Sequence, residues 1–350
     1  MSEYIPSQGL VPDKVDARDF LVSDVLGVPM VDWDAGFDAY KASDLAVPAP
    51  DQGSSLSCVG QGIAQYTRVV HKILSAKGKV FSPKFLYSQI ALPQGGASLR
   101  DGMKLASSAG VALEDSVPSY EKGNPPSEPF MRDLTWKNDD IFEKAKVYDQ
   151  FSYRVILGGT SDIDIFANAI QQFGGVLLGF TGTNPGWTQD MVRPPQNGED
   201  KWGHAVYGAG FGMYKGKRCL FTPNSWGNRY GIKEGLWAGF QAIPEDYFTA
   251  GEMTAVGDVK GIYVFNSWAF VPDDVLPGNQ KVMDTLKRLE GQPVMDSASG
   301  RSGSIAWVKN GKLKVVSKER KADFACNFLV EKFGTGLPPE IWDAAEKEQF

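Results

Sequence analysis

The run Cys58-Val59-Gly60-Gln61-Gly62-Ile63-Ala64-Gln65-Tyr66-Thr67-Arg68-Val69-Val70-His71-Lys72-Ile73-Leu74 decides the fold. Ile63, Tyr66, Val70 and Ile73 recur at helical spacing and share one face, so the segment is predicted to be an amphipathic helix. Gly78 lies just beyond, where such a helix can stop. Upstream, Asp51-Gln52-Gly53-Ser54-Ser55-Leu56-Ser57 is polar and turn-forming, which sets Cys58 at a loop-to-helix junction. A thiol in the first turn of a helix feels the positive end of the macrodipole, which favours thiolate. Taken alone, Cys58 reads more readily as a buried structural cysteine than as a nucleophile.

Further along, Ser98 can cap a helix from Leu99 to Ser108 that Gly110 closes. Ser161 begins another, with Ile163, Phe166, Ile170 and Phe173 on one stripe and Gly174-Gly175 at its end. An apolar strand, Val176 to Phe180, follows. From there the period shifts toward two. His204 to Phe211 and Arg218 to Phe221 are predicted strands joined by a turn at Lys215-Gly216-Lys217. Helices first and strands later indicate an α+β fold with a helical lobe and a sheet lobe.

The ends differ from the body. Residues 1–44 are rich in Asp, Pro and Val, and read as an extended arm that wraps onto a domain at 45–271. Past Pro272, with Pro277 and Gly278 as a linker, residues 272–350 read as a small accessory domain. Within it Val282, Leu286 and Leu289 suggest a short amphipathic helix. Asn310-Gly311 is a two-residue hairpin turn that pairs Val308 with Leu313 and Ala306 with Val315. Between Arg301 and Lys321, seven basic residues (Arg301, Lys309, Lys312, Lys314, Lys318, Arg320 and Lys321) stand against a single acid, Glu319. They form either a solvated face or a surface for an acidic partner.

Composition bounds the remainder. The 350 residues carry a formal net charge of -6, which argues against a nucleic-acid binder by bulk charge. No stretch has the roughly 18 apolar residues of a membrane span, and the N-terminus has no signal-peptide pattern. A cytoplasmic location is therefore expected. Cys58, Cys219 and Cys326 are too few for a disulfide framework, so three free thiols are expected. His-Glu-x-x-His and Cys-x-x-Cys are both missing, and no metal or cofactor is expected.

A cysteine nucleophile needs a base, and the chain has two histidines. His71 lies 13 residues along the same helix, about 20 Å away by helical rise, and reads as a packing or surface residue. His204 follows a Gly, starts a strand and comes after a long polar loop. Asn224 closes the strand after the one His204 begins, where its amide can fix the tautomer and direction of the imidazole. Trp226 can cover that bond.

Together these residues resemble the papain-like cysteine peptidase family. The match rests on Gln52-Gly53 with Ser57-Cys58, then Gly203-His204-Ala205-Val206, then Asn224-Ser225-Trp226-Gly227, in the family's order. Phe81-Ser82-Pro83 with Leu86-Tyr87, Gly96 to Asp101, Gly174-Gly175-Val176, Tyr230-Gly231 and Glu234-Gly235 add to it, and the likeness covers residues 45 to 250. It implies a two-lobed fold, helical lobe plus an antiparallel β-barrel-like lobe, with a small α/β appendage. It further implies a Cys58–His204–Asn224 triad, with Gln52 and the Cys58 backbone amide holding the oxyanion. Substrate contacts are expected from Gly95, Gly96, Gly203 and Trp226. A second triplet, Asn266-Ser267-Trp268, stands 62 residues after His204 rather than 20 and lacks the following Gly.

The chain departs from many relatives. Ser55 stands where they carry a bridging cysteine, Val59 where they carry Trp, and no large inhibitory propeptide is matched. The long loop from Gly182 to Gly203, stiffened by Pro194-Pro195, resembles bacterial and bacteriophage-encoded members, which would allow a virion location. Other readings are a non-catalytic module, as in a virus particle, and a thiol hydrolase of cell-wall peptides.

Overall fold

The computed structural model describes residues 9–13, 21–22, 31–75, 77–121, 123–149, 151–157, 160–250, 252–253, 259–260 and 263–272, together with five short strands beyond 292. The chain divides into two compact units: residues 1–23 with 28–272, and residues 24–27 with 273–350.

The helices of the larger unit are α1 (Ala39–Ala42), α2 (Cys58–Ser75), α3 (Pro83–Ile90), α4 (Leu99–Ala109), α5 (Glu128–Arg132), α6 (Asp139–Lys146), α7 (Ile163–Phe173), α8 (Asn184–Trp187) and α9 (Asp246–Thr249). Its strands are β1 (Phe37–Asp38), β2 (Phe151–Ile156), β3 (Val176–Gly182), β4 (Trp202–Gly208), β5 (Gly210–Tyr214), β6 (Lys217–Thr222), β7 (Gln241–Pro244), β8 (Glu252–Met253), β9 (Val259–Lys260) and β10 (Ser267–Pro272). The fold is α+β, as the segregation of periods predicts. The sheet lobe is not a closed barrel. It consists of two four-stranded antiparallel sheets, ordered β1-β5-β6-β7 and β2-β10-β3-β4. The chain passes from one to the other where β4 runs through Ala209 into β5.

Local signals explain the elements. The Ser98 side chain accepts from the Asp101 amide, and Gly110 takes a positive φ of 72° to end α4. Asp162 rather than Ser161 caps α7, through the Asp164 amide, and left-handed Gly174 closes it. The β5–β6 turn is two residues long, Lys215 and Gly216, both at positive φ, the twist a tight hairpin requires.

Helix α2 is the spine. Ile63, Tyr66 and Val70 are buried as their stripe predicts, whereas Ile73 is 51% exposed because the last turn outruns the body. Tyr66 stacks on Tyr207 of β4 at 5.1 Å. Its hydroxyl donates to the Gly175 carbonyl at 2.5 Å and accepts from the Phe270 amide at 3.0 Å. A polar tip on the apolar stripe is thus satisfied by two strands, and it fixes the helix against the sheet that carries His204. Among the described residues no helix is long and apolar enough to cross a membrane.

In the smaller unit the described strands are β11 (Pro293–Asp296), β12 (Ile305–Lys309), β13 (Lys312–Val315), β14 (Thr335–Leu337) and β15 (Lys347–Gln349), in the order β14-β11-β12-β13-β15. The β12–β13 register pairs Val308 with Leu313 and Ala306 with Val315. The helix expected at Val282 to Leu289, Cys326, and the side chains of the basic hairpin lie outside the described residues.

Candidate active site

Cys58 is the first residue of α2, and the Gln61 amide donates to the Ser57 carbonyl at 3.0 Å to start the helix. His204 sits on β4 opposite Phe180 of β3. After β6 the chain turns at Asn224, which takes a positive φ of 55°, a conformation Asn tolerates better than most residues. The Asn224 amide oxygen lies 2.8 Å from His204 Nε2. His204 Nδ1 is buried and has no hydrogen-bond partner among the described residues.

The direction of that amide is set by a residue that carries no local sequence signal. Asn224 Nδ2 donates to Gln241 Oε1 at 2.5 Å. Gln241 Nε2 in turn donates to the carbonyls of Trp187 and Gln189 at 2.8 and 2.7 Å. Two carbonyls thus fix Gln241, Gln241 fixes Asn224, and Asn224 presents its oxygen to the imidazole. The Ser225 amide also donates to Asn224 Oδ1, at 2.7 Å.

An aromatic enclosure surrounds His204. Trp226 stacks on it at 4.5 Å, and Trp187 and Trp202 stand edge-on at 5.6 and 5.9 Å. Burial therefore lowers the His204 pKa to about 4, against the Asn224 hydrogen bond that raises it. Trp226 is 1% exposed and packs against Trp187, Trp202 and Tyr230 as well as the imidazole. Trp187 and Trp202 had no counterpart in the motif reading.

Gln52 is fully buried. Its side-chain amide donates to the Ser55 carbonyl at 2.9 Å, and its oxygen accepts from the Ser225 hydroxyl at 2.5 Å. The loop before Cys58 is thereby tied to the loop that carries Asn224. The Ser55 hydroxyl donates to the Gln52 carbonyl at 2.6 Å and bonds to the Ser57 hydroxyl at 2.7 Å.

Residues 9–11 pair by their backbone with the residue before His204 and with Ala97. Gly9 and Leu10 donate from their amides to the Gly203 carbonyl at 3.3 and 3.2 Å. Ala97 donates to the Gly9 carbonyl at 2.8 Å, and Val11 donates to the Ala97 carbonyl at 2.9 Å, a parallel bridge. The residue whose backbone pairs here is Ala97. The Gly96 amide goes to the Tyr87 hydroxyl at 3.0 Å, and the Gly95 amide goes to the Leu92 carbonyl at 2.8 Å. Gly96 and Gly203 admit the arm: a Cβ on either would lie 2.4 or 2.5 Å from its carbonyl oxygens. The Leu10 side chain reaches Gly179 and is 7% exposed.

Covered in this way, Cys58 and His204 are both fully buried. The thiolate-favouring effect expected of the helix start is outweighed. Burial pushes the Cys58 thiol up to about 12, although the backbone amides of Ala205, Val59, Cys58 and Gly9 oppose the rise. Thiol and imidazole are both neutral in this covered arrangement.

The remaining expectations fall as follows. His71 packs edge-on against Phe81 and Tyr148, and its Nδ1 meets the Lys77 carbonyl at 3.1 Å. Asn266 immediately precedes β10, which β3 separates from β4. Cys58 and Cys219 are free thiols. Among the described residues no group of three or more His, Cys, Asp or Glu is placed to hold a metal ion.

No protein-family model matches the chain, and no curated protein does. Solved structures do. Xylellain, a cysteine protease from Xylella fastidiosa, is 21% identical with a TM-score of 0.56, and the match covers 76% of this chain and 96% of that one. Procathepsin L2 from the larval midgut of Tenebrio molitor is 19% identical with a TM-score of 0.54, covering 76% and 78%. Procathepsin B S9 from Trypanosoma congolense is 13% identical with a TM-score of 0.52, covering 76% and 86%. The larger unit thus has the fold of papain-like cysteine proteases.

Proposed function

We propose that the chain is a cysteine peptidase in which Cys58 is the nucleophile, His204 the base and Asn224 the residue that orients it. The observation that carries the reading is the 2.8 Å contact between His204 Nε2 and an Asn224 oxygen whose direction Gln241 dictates. With Nε2 so engaged, Nδ1 is the nitrogen left to exchange a proton with the thiol. His204 takes the proton of Cys58, and the sulfur attacks the peptide carbonyl carbon. The oxyanion forms against the Gln52 amide and the Cys58 backbone N–H. As the C–N bond breaks, His204 gives its proton to the leaving amine. Water then adds to the thioester with His204 as base, and the acid leaves with the thiol restored.

A second reading, a binding module with a closed groove, draws on the full burial of Cys58 and His204 under the arm. One experiment separates the two. The protein and its Gly9→Ala variant are treated with an epoxide thiol inhibitor, mapped by mass spectrometry, and assayed on unfolded protein and on cell-wall peptides. Label on Cys58, with activity abolished by Cys58→Ala but not by Cys219→Ala or Cys326→Ala, is expected. Label mainly on Cys219 or Cys326 would overturn the assignment. An uncovered but inert Cys58 would favour the binding module.

A further inference from the structure

Helix α2 carries a second stripe beside the face of Ile63, Tyr66 and Val70. Gln61, Ala64, Gln65 and Arg68 fall at helical spacing and line a cavity of about 240 Å³. Its opposite walls include Pro48, Phe81, Pro83 and Glu114. Three polar atoms of this lining are buried without a hydrogen-bond partner: Gln61 Nε2, Arg68 Nε and Glu114 Oε2. Gln61 is 1% exposed. The other oxygen of Glu114 accepts from the Ser119 amide at 2.6 Å, so the carboxylate is held in place with one oxygen unmet.

An unmet buried donor or acceptor costs more than a formed hydrogen bond returns, and an unpaired charge costs more still. Arg68 and Glu114 could cancel each other's cost, yet no ion pair joins them although they line one cavity. Burial pushes the Glu114 carboxyl above its ordinary range, against hydrogen bonds from Ser119, which is the behaviour of a carboxylate without a counter-charge. The cavity therefore presents two donors, one of them cationic, a separate anionic acceptor, and an apolar wall. Water alone could meet the polar atoms but would also wet Pro48, Phe81 and Pro83. The volume is roughly eight times the share of one water in the liquid and below the roughly 300–1,000 Å³ of sites for drug-sized ligands.

We propose that this cavity is a binding site for a free apolar α-amino acid, its carboxylate on Arg68 and Gln61, its ammonium on Glu114, and its side chain against Pro48, Phe81 and Pro83. The site adjoins the candidate active site, since Gln61 lies one turn after Cys58 and the Gln65 side chain donates to the Asn224 carbonyl at 3.4 Å. Binding requires no turnover, so its outcome stands apart from that of the peptidase reading.

The test is calorimetric titration of the full chain with leucine, with leucinamide, which lacks the carboxylate, and with 4-methylpentanoate, which lacks the ammonium. Leucine is expected to bind, and each analogue to bind at least about tenfold more weakly. Arg68→Gln should weaken leucine at least about tenfold and erase the preference over leucinamide. Glu114→Gln should do the same for the preference over 4-methylpentanoate. Circular dichroism checks that the variants fold, and the ranking of the three ligands on the unaltered protein stands without them. No heat from leucine up to about 10 mM, an analogue that binds as well as leucine, or leucine binding untouched in both folded variants would each overturn the proposal.

Discussion

Leu10 donates its backbone N–H to the carbonyl of Gly203 at 3.2 Å, one residue before His204. The arm thus holds a polar group of the groove beside the candidate base. The geometry of Gly9 makes this testable with one methyl group, because a Cβ there would lie 1.9 Å from the Leu56 carbonyl oxygen. Gly9→Ala should expel the arm. Leu10→Ala should loosen it, since burying a leucine side chain is worth about 1.5–3 kcal/mol, or about ten- to a hundredfold in the open fraction. Both variants should speed alkylation of Cys58 and bring its pKa down from about 12 toward the ordinary thiol range. Unchanged alkylation kinetics in both would mean that the arm does not limit access to the thiol.

Gln241 acts on His204 only through Asn224, as a positioning residue. Gln241→Leu removes the partner of Asn224 Nδ2 and leaves the amide held only at its oxygen, by the Ser225 N–H and His204. A lost buried hydrogen bond of this kind costs about 1–3 kcal/mol, so turnover of a small peptide should fall about five- to 150-fold with KM little changed. Asn224→Ala should fall further. In both, the His204 pKa should drop below its value of about 4, because the hydrogen bond that opposes burial is weakened or gone. NMR titration of the imidazole reads this directly, and a pKa that rises in Asn224→Ala would contradict the arrangement.

The buried imidazole also predicts the acid side of the stability curve. His204 binds its proton near pH 6.5 in the unfolded chain and only near pH 4 in the folded one. The unfolded state therefore takes up more protons between those values. The stabilising contribution of a neutral, buried His204 is complete above pH 6.5 and is lost as pH falls toward 4. At pH 5 the loss should be about 2 kcal/mol. Urea unfolding of the protein and of His204→Gln checks it: the variant should lose less stability over that range, and parallel curves would sink the idea.

How far these features can be read from sequence depends on the range of the interactions behind them. The stripe of Ile63, Tyr66 and Val70, the Ser98 cap, the Lys215-Gly216 turn and the order of Cys58, His204 and Asn224 are local patterns, and each is legible. Gln241 is not, because its partners lie 17 and 54 residues away and its own neighbourhood, an apolar strand, says nothing of them. The enclosure by Trp187 and Trp202 depends in the same way on how α8 packs back against the start of β4, where the two rings meet at 5.7 Å. The stretch 1–44 is not extended throughout: Phe37–Asp38 and Ala39–Ala42 form β1 and α1, with Ala39 and Tyr40 in the core, and the parallel bridge from Leu10 to Ala97 is a long-range pairing that no periodicity announces. The low thiol pKa expected from the helix start failed for a related reason: the macrodipole is a local effect, whereas burial under the arm is tertiary and larger here.

The position of β10 sharpens where the chain can be cut. β10 pairs with β2 over the full register from Ser267↔Ile156 to Pro272↔Phe151, and its other edge meets β3 at Trp268↔Leu177. It is an inner strand of the sheet that carries His204, and Trp268 also donates to Asp13 at 2.9 Å. Removing it would leave two strand edges unpaired and strip buried Trp268, Phe270 and Val271 from the core. A chain ending after Pro272 keeps all of these contacts and removes only residues assigned to the smaller unit. It is expected to fold, to bind an epoxide inhibitor at Cys58 and to cleave a small unstructured peptide at the rate of the full chain. A chain ending before Ser267 is expected to be insoluble. Soluble expression, near-ultraviolet circular dichroism and inhibitor labelling compare the two. An insoluble protein ending at Pro272 would show that residues 273–350 are needed to complete the larger unit, and the accessory-domain reading would be abandoned.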